Sequence, residues 1–264
     1  MNKVGILIIG NEILDGVILD TNTQWIIQRL KPLNYTITET MTVRDDIYEI
    51  AQAINRMNQD GINLIITTGG LGPTHDDMTL LGVAKAFNIP MEQNRTAFEM
   101  VKRQYRHYYE SGVVDNPEIT ESRRKMSVFP KGAIPLDNRA GGAPGVLLGY
   151  QGIRIVSLPG VPSELKWIFE NQLIPILKER VQGYYYEKII HLNLRDESTL
   201  SPIIDKAMKT DPLVYIKSLV KPYGEHGIRL WISAHGEDKH IIKKRVKKIT
   251  ELLIELTRDQ VYTT

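Results

Sequence analysis

The fold is decided by the stretch Thr67-Thr68-Gly69-Gly70-Leu71-Gly72-Pro73-Thr74-His75-Asp76-Asp77. A short aliphatic run at 63–66 precedes it, and apolar residues recur at helical spacing over 80–87 behind it. This pattern predicts a turn that joins a buried strand to a helix in an α/β unit. Its three glycines leave backbone N–H groups free and permit close approach of a ligand, and a helix N-terminus attracts anions. We therefore expect the turn to hold a phosphate group.

Two carboxylates, Asp76 and Asp77, lie at the end of the same turn. Next to a bound phosphate they would repel it unless a cation lay between them, which indicates a phosphate held through Mg²⁺ or a similar hard metal. The simpler interpretation is that one of them caps the following helix. The six histidines are scattered without metal-ligand spacing, and His75, the one in this turn, is interpreted as a turn or capping residue.

Length and composition are those of an ordinary globular protein with one large domain or two modest ones. The net charge of +2 is too small to indicate nucleic-acid binding. The sequence has no cysteine, which excludes disulfides, thiolate metal sites and cysteine nucleophiles. The apolar N-terminal run is too short for a signal peptide and no run reaches membrane-spanning length, so we expect a cytoplasmic protein.

Strand-like and helical segments alternate three times over roughly the first ninety residues. Strands are predicted at 4–9, 35–40 and 63–67, with helices after Asp20-Thr21-Asn22 and over 47–57. This alternation predicts right-handed βαβ units and a parallel sheet, in which the ligand crevice lies outside the carboxyl ends of the strands. The loops after the three strands carry four carboxylates, which makes a metal–phosphate site the leading hypothesis: Glu12, Asp45, Asp76 and Asp77.

The middle of the chain, 90–130, is polar and helical. Its cluster 103–109 mixes cations with aromatic rings and could stack a base, but an amphipathic helix with a solvated basic face is the favoured interpretation. Two strands, 146–150 and 153–158, follow a loop at 136–145 that is rich in turn-forming residues.

The second of these strands ends in Pro159-Gly160-Val161-Pro162-Ser163-Glu164, which leads into another helix. A glycine turn before a helix is a second candidate anion site. An equally supported alternative is a proline-fixed connection with Ser163 or Glu164 near the helix cap.

Gln182-Gly183 marks a predicted domain boundary. Beyond it the sequence predicts a small α+β domain with strand 186–194, helix 197–208, strands 214–220 and 228–234, and helix 239–256. The outer face of the last helix carries four lysines, interpreted as solvated: Lys243, Lys244, Lys247 and Lys248. Gly224-Glu225-His226-Gly227 has the spelling of a KH nucleic-acid loop, but it lies between two predicted strands, which favours a hairpin.

No Walker A motif, HExxH motif, nucleophile elbow or full GxGxxG fingerprint occurs. An ordered set of other motifs resembles the competence/damage-inducible protein A (CinA) family over about residues 1–175: Gly10-Asn11-Glu12-Ile13-Leu14-Asp15-Gly16, Asp20-Thr21-Asn22, Thr68 to Asp77, Asn138 to Gly145, and Leu158-Pro159-Gly160-Val161-Pro162-Ser163-Glu164. The resemblance implies an α/β fold, in which residues 1–180 form a three-layer α/β/α molybdopterin-binding-like domain with a mostly parallel sheet. It also implies a KH-like α+β domain over 183–264 and a homodimer.

The resemblance implies metal-dependent hydrolysis of ADP-ribose to AMP and ribose 5-phosphate, with a divalent ion (Mg, Mn or Co) as cofactor. A separate C-terminal domain of the family deamidates nicotinamide mononucleotide; this chain ends after the KH-like region, so we do not expect the deamidase activity. Two alternatives remain open. One is molybdopterin binding or adenylyl transfer in molybdenum cofactor biosynthesis, and the other is a non-catalytic nucleotide sensor.

These expectations assign roles to particular residues. The catalytic carboxylates are Glu12, Asp45, Asp76 and Asp77, of which Asp45, Asp76 and Asp77 hold the metal. A small-molecule nucleotide is the expected partner, and neither nucleic acid nor a membrane is expected. The residues expected to contact that substrate are Gly10, Asn22, Thr68, Gly69, Gly70, Leu71, Gly72, Pro73, Thr74, Asn138, Gly145, Pro159, Gly160 and Pro162.

Overall fold

The computed structural model of the chain describes residues 2–179, 181–192, 194, 196–219 and 227–257. The chain divides into two units, of which the first holds Met1–Leu30 and Tyr35–Arg180 and the second holds Lys31–Asn34 and Val181–Thr264. The second unit therefore includes the short 3-10 turn Lys31–Leu33, which the sequence pattern alone assigned to the first domain.

A six-stranded sheet forms the centre of the first unit, in the order β2-β1-β3-β8-β7-β6. The four strands β2, β1, β3 and β8 are parallel, whereas β7 and β6 add to one edge in antiparallel fashion. The prediction of an α/β fold with a mainly parallel sheet is confirmed. The strands are β1 Asn2–Ile9, β2 Tyr35–Val43, β3 Leu64–Thr68, β6 Ile134–Leu136, β7 Gly145–Tyr150 and β8 Ile153–Leu158, and a separate two-stranded ribbon pairs β4 Met91–Gln93 with β5 Val128–Pro130.

The burial, length and connections of the strands follow from local features of the sequence and from strand pairing. All five residues of β3 are buried, as expected for a parallel strand with both faces covered. The strand β2 continues three residues beyond its predicted end, because its pairing with β1 runs on to Ile9 and Val43. The turn between β7 and β8 has positive φ angles at Gln151 and Gly152, so the chain reverses there within two residues.

Side-chain caps fix the start of several helices in the first unit. Oδ1 of Asp20 accepts the N–H groups of Asn22 and Thr23, and Oδ1 of Asp46 accepts those of Tyr48 and Glu49. The helices of this unit are α1 Asn11–Leu14, α2 Asn22–Leu30, α3 Ile47–Gln59, α4 Thr79–Phe87, α5 Arg95–Glu110, α6 Glu121–Lys125, α7 Pro162–Ile168 and α8 Ile174–Lys178.

Two local predictions are wrong in detail. The segment 10–16, expected to be a loop, contains the short helix α1. The long helix expected after Pro162 is interrupted by one π turn, Phe169–Leu173, where Pro175 follows in the next turn and cannot donate a backbone N–H.

The second unit is a three-stranded antiparallel sheet with two helices, in the element order that the sequence predicts. Its strands are β9 Tyr184–Leu192, β10 Val214–Leu219 and β11 Ile228–Gly236, and its helices are α9 Ser201–Thr210 and α10 Lys239–Leu256. The helix α9 starts four residues later than expected, because Asp196 caps a 3-10 turn at Glu197–Thr199 before it. The predicted hairpin at 224–227 lies outside the described residues except for Gly227.

The core of the second unit lies between the sheet and α10, which packs Ile242, Val246, Ile249 and Leu253 against the strands. Within the described part of the chain, no helix is both long and apolar enough to cross a membrane.

Candidate functional site

A cavity of about 660 Å³ opens at the carboxyl ends of β1, β3 and β8 in the first unit. This is the edge of the sheet at which the sequence places the ligand crevice. The predicted site residues that line it are Glu12, Asn22, Thr68, Gly69, Gly70, Leu71, Gly72, Pro73, Asp77, Pro159, Gly160 and Pro162. The predicted site residues outside this lining are Gly10, Asp45, Thr74, Asp76, Asn138 and Gly145.

Hydrogen bonds to β8 on one side and to the start of α4 on the other hold the glycine turn in place. The N–H of Gly69 donates to the carbonyl of Leu158 at 3.0 Å, so this amide is already used within the protein. Its carbonyl accepts the hydroxyl of Thr79 at 2.8 Å, and the carbonyl of Gly70 accepts the N–H of the same threonine at 3.2 Å. Both glycines have positive φ angles, 97° and 63°, which explains why the turn needs glycine here.

Asp77 closes the loop that follows the glycine turn. Its Oδ2 accepts both the N–H of Thr74 at 2.7 Å and the hydroxyl of Thr74 at 2.5 Å. The residue before α4 is Met78, and no side chain caps that helix. The helix-cap interpretation of Asp76 and Asp77 is therefore wrong, and the carboxylate of Asp77 is left at the surface of the cavity.

The charges of three predicted carboxylates, Glu12, Asp76 and Asp77, act on the fourth, Asp45. Oδ2 of Asp45 accepts the N–H of Asn11 at 2.8 Å, which joins the loop after β2 to helix α1. Burial raises the pKa of Asp45, and the nearby charges of Glu12, Asp76 and Asp77 raise it further, against the lowering effect of the Asn11 hydrogen bond. Within the described residues, however, no group of three or more His, Asp or Glu side chains is arranged to hold a metal ion.

His75 lies in the same loop, and its side chain is 98% exposed. It does not line the cavity. Nδ1 of His75 lies 4.0 Å from Oδ1 of Asp76, which also does not line the cavity, in agreement with the interpretation of His75 as a turn residue.

The second glycine turn completes the cavity from the side of β8. The side-chain N–H of Asn22 donates to the carbonyl of Gly160 at 2.8 Å and so connects the start of α2 to this turn. Pro162 begins α7, and Glu164 in the first turn of α7 lines the cavity. Burial raises the pKa of the Glu164 carboxyl, against the lowering effect of a hydrogen bond from Asn138.

Asn138 and Gly145 do not line the cavity, but they pack against residues of α7, whose first turn does. The Nδ2 group of Asn138, a residue that is 2% exposed, donates to the carbonyl of Ala143 at 2.8 Å and to Oε2 of Glu164 at 2.7 Å. Gly145 begins β7, where a Cβ atom would lie 3.1 Å from the side chain of Ile168. Asn138 therefore holds Glu164 in position, and Gly145 permits close packing of α7 on the sheet.

The prediction of an amphipathic helix with a solvated basic face is confirmed for α5, where Arg103, Arg106 and His107 are exposed. Two tyrosines on another face of this helix line the cavity. Tyr105 and Tyr108 form an edge-to-face pair with ring centroids 5.6 Å apart and planes at 83°. The guanidinium of Arg123 lies 4.0 Å from the Tyr105 ring centroid. The signal was present in the sequence, because Tyr105 and Tyr108 are spaced three apart and extend the apolar stripe of α5 toward the loop 136–145.

Comparison with known proteins identifies the first unit. Residues 5–179 match the family described as a probable molybdopterin binding domain. The chain belongs to this family. It is also 41% identical over 257 residues to a protein of Sulfurisphaera tokodaii, covering 95% of this chain and 93% of the other. A protein of Pyrococcus abyssi is 36% identical over 245 residues, which cover 93% of this chain and 94% of the other.

Among solved structures, the first unit resembles the protein CinA, of unknown function, from Thermoplasma acidophilum. The TM-score is 0.59 at 31% sequence identity, and the match covers 66% of this chain and 98% of the other. The resemblance to the CinA family is confirmed.

Proposed function

We propose that the chain is a metal-dependent hydrolase that cleaves the phosphoanhydride of ADP-ribose, or of a similar nucleoside diphosphate compound, to give AMP and ribose 5-phosphate. One observation carries the proposal. A glycine turn, the carboxylates of Glu12 and Asp77, and a pair of tyrosines line a single cavity of about 660 Å³, which is the size range of sites for small organic ligands. Phosphates, a metal and an aromatic base are the partners that these three groups of residues favour.

The carboxylates around the cavity are consistent with a metal ion that is bound jointly by the protein and by the phosphates of the substrate. Mg²⁺ in nucleotide enzymes is commonly held by one or two carboxylates together with substrate phosphates, so a complete protein cage is not required. Glu12 and Asp77 line the cavity, and Asp45 and Asp76 are close enough for their charges to interact. A divalent ion there would neutralise the diphosphate and lower the pKa of a bound water molecule. The protein's part is to position the diphosphate against the turn and to hold these carboxylates together.

The test is incubation of the protein with ADP-ribose and Mg²⁺, Mn²⁺ or Co²⁺, followed by chromatography for AMP and ribose 5-phosphate. Product should form only with a divalent ion, and Glu12→Gln should reduce the rate while the variant melts like the wild type. Glu49→Gln, which removes an exposed carboxylate outside the cavity lining, is the matched control and should keep the wild-type rate. Absence of AMP under every metal condition would contradict the proposal.

A second candidate is molybdopterin binding or adenylyl transfer, which is favoured by the family match over residues 5–179. Molybdopterin retained in purified protein, or transfer of AMP to added molybdopterin, would support it.

A non-catalytic nucleotide sensor is the third candidate, favoured by the lack of a three-carboxylate metal group among the described residues. It predicts nucleotide binding without turnover. A homodimer, expected from the CinA resemblance, is tested by light scattering on the purified chain.

A further inference from the structure

Glu164 is a half-buried carboxylate in the cavity that the proposed hydrolysis does not use. Its Oε2 accepts a hydrogen bond from Nδ2 of Asn138, whose own Oδ1 accepts the N–H of Ala140 at 3.0 Å. A Cβ atom at Gly141 would overlap the Glu164 carboxyl group, so the loop around Asn138 is closely packed on it. The position of this carboxylate is therefore fixed by the loop.

The orientation of the Asn138 side-chain amide determines whether the Glu164 carboxylate acts as a hydrogen-bond donor or acceptor. Because Nδ2 of Asn138 is a donor, Oε2 of Glu164 must be an acceptor. Among the described residues, Oε1 of Glu164 accepts no hydrogen bond from the protein, and no cation forms an ion pair with this carboxylate. Oε1 of Glu164, unlike Oε2, is thus an acceptor without a protein donor, and it can take an N–H group from a ligand in the cavity.

The tyrosine pair lies next to this acceptor. A Cβ atom at Gly142, the residue after Gly141, would contact the ring of Tyr105 at 3.4 Å. Tyr105, Tyr108 and Glu164 all line the cavity. Burial raises the pKa of Tyr108, and the charge of Glu164 adds to that effect. Two aromatic rings and a fixed acceptor therefore form one continuous part of the cavity lining.

We propose that Glu164 accepts a hydrogen bond from an amino group on the heteroaromatic ring of the ligand, while Tyr105 and Tyr108 pack against that ring. The inference rests on the proposed nucleotide-like ligand and adds the base specificity of the site. An anionic acceptor would repel a phosphate, so this part of the cavity takes the ring rather than the diphosphate. A site built to hydrogen-bond an N–H group discriminates strongly against analogues that lack it.

Among the purine bases, such an amino group stands at the 6-position or at the 2-position, and nucleoside diphosphates separate the two. ADP and IDP differ at the 6-position, where adenine has an amino group and hypoxanthine an oxo group. GDP and IDP differ only in the 2-amino group, which guanine shares with the 2-amino-4-oxo ring of pterins. Isothermal titration calorimetry of the wild-type chain with each of the three nucleotides, in the presence of Mg²⁺ and without added ADP-ribose, shows which amino group is recognised. A 6-amino site binds ADP at least about tenfold more tightly than IDP, and a 2-amino site favours GDP over IDP by the same factor.

Glu164→Gln tests the residue itself. The carbonyl oxygen of the new amide must face the Asn138 donor, so its NH₂ group faces the cavity and replaces an acceptor with a donor. The preference for the amino-bearing nucleotide should fall to less than about twofold or reverse toward IDP. Glu170→Gln, which removes an exposed carboxylate paired with Arg29, is the matched control and should keep the wild-type preference.

Two results would overturn the inference. The first is equal affinity of the wild-type protein for ADP, GDP and IDP. This test uses only the wild-type protein, so it does not depend on whether a variant folds. The second is an equal loss of affinity for all three nucleotides in Glu164→Gln, which would show that Glu164 only anchors the loop. Base selectivity without hydrolysis would leave this inference standing and contradict the proposed hydrolase.

Discussion

Thr79 leaves no room for a side chain at Gly70. Its N–H donates to the carbonyl of Gly70 at 3.2 Å, and its hydroxyl, which donates to the carbonyl of Gly69, occupies the space where a Cβ of Gly70 would be. The first helical residue of α4 is thus joined directly to the glycine turn. The sequence showed a turn and a helix near each other, and the structure shows that a single buried threonine connects them.

Gly70→Ala should therefore lower the stability of the protein even without a bound ligand. A left-handed φ costs a non-glycine residue about 1–2 kcal/mol, and the overlap with Thr79 adds about 1–3 kcal/mol of overpacking. The melting temperature measured without ligand reports the loss. Melting of the variant at the wild-type temperature would mean that the turn and Thr79 can move apart.

Gly160→Ala is the better test for contact with the ligand. A Cβ atom there would lie 3.4 Å from Cα of Gly69, an ordinary contact, and it would stand on the lining of the cavity between the two turns. We expect this variant to melt close to the wild type when empty and to lose most of the stabilisation by ADP-ribose, since a ligand raises the melting point through its affinity for the native state. An unchanged ligand-induced shift would place the phosphate elsewhere.

Asp77→Asn should reduce metal-dependent hydrolysis by at least about tenfold, which corresponds to about 1.4 kcal/mol of transition-state stabilisation. The asparagine oxygen can still accept both hydrogen bonds from Thr74, so the loop should stay folded and only the charge is lost. Asp76→Asn removes the same charge from a side chain that does not line the cavity, so its rate should fall less. Rates close to wild type in both variants would exclude this pair from metal binding.

The stability of the protein should depend on Glu164 in a pH-dependent way. Its pKa in the folded protein is raised above the ordinary value of 4.5 by burial, so folding disfavours the ionised form. The resulting loss of stability develops as pH rises through the folded pKa and is absent below the unfolded pKa. Glu164→Gln should therefore be more stable than the wild type at neutral pH and equally stable below about pH 4. Chemical denaturation at both pH values measures the difference, and a gain that persists at the lower pH would contradict it.

The outer face of α10 should contribute little to stability or hydrolysis. All four of its lysines, Lys243, Lys244, Lys247 and Lys248, are exposed. Replacing them together with glutamine should leave the melting temperature and the rate with ADP-ribose nearly unchanged. Ile242→Ala on the buried face of the same helix is the contrast, with an expected loss of about 2–5 kcal/mol. A large fall in RNA affinity in the lysine variant, with an intact fold, would reveal a nucleic-acid role for this face.

Local sequence determined much of this protein. The unbroken aliphatic runs at Val4–Ile9 and Leu64–Ile66 specify parallel strands because both faces of such strands are buried. The cap at Asp20 is also a local feature, since a carboxylate there can accept only the N–H groups of the next turn. The edge of the sheet on which the site lies then follows from the parallel topology, because the carboxyl ends of the strands coincide.

Only the tertiary structure decided which side chains share the cavity. Glu164 and Tyr108 are separated by 56 positions, and they become neighbours because α5, the loop around Asn138 and α7 pack together. Periodicity and turn chemistry act over a few residues, whereas these contacts depend on how distant segments pack, and no local pattern in the sequence encodes that.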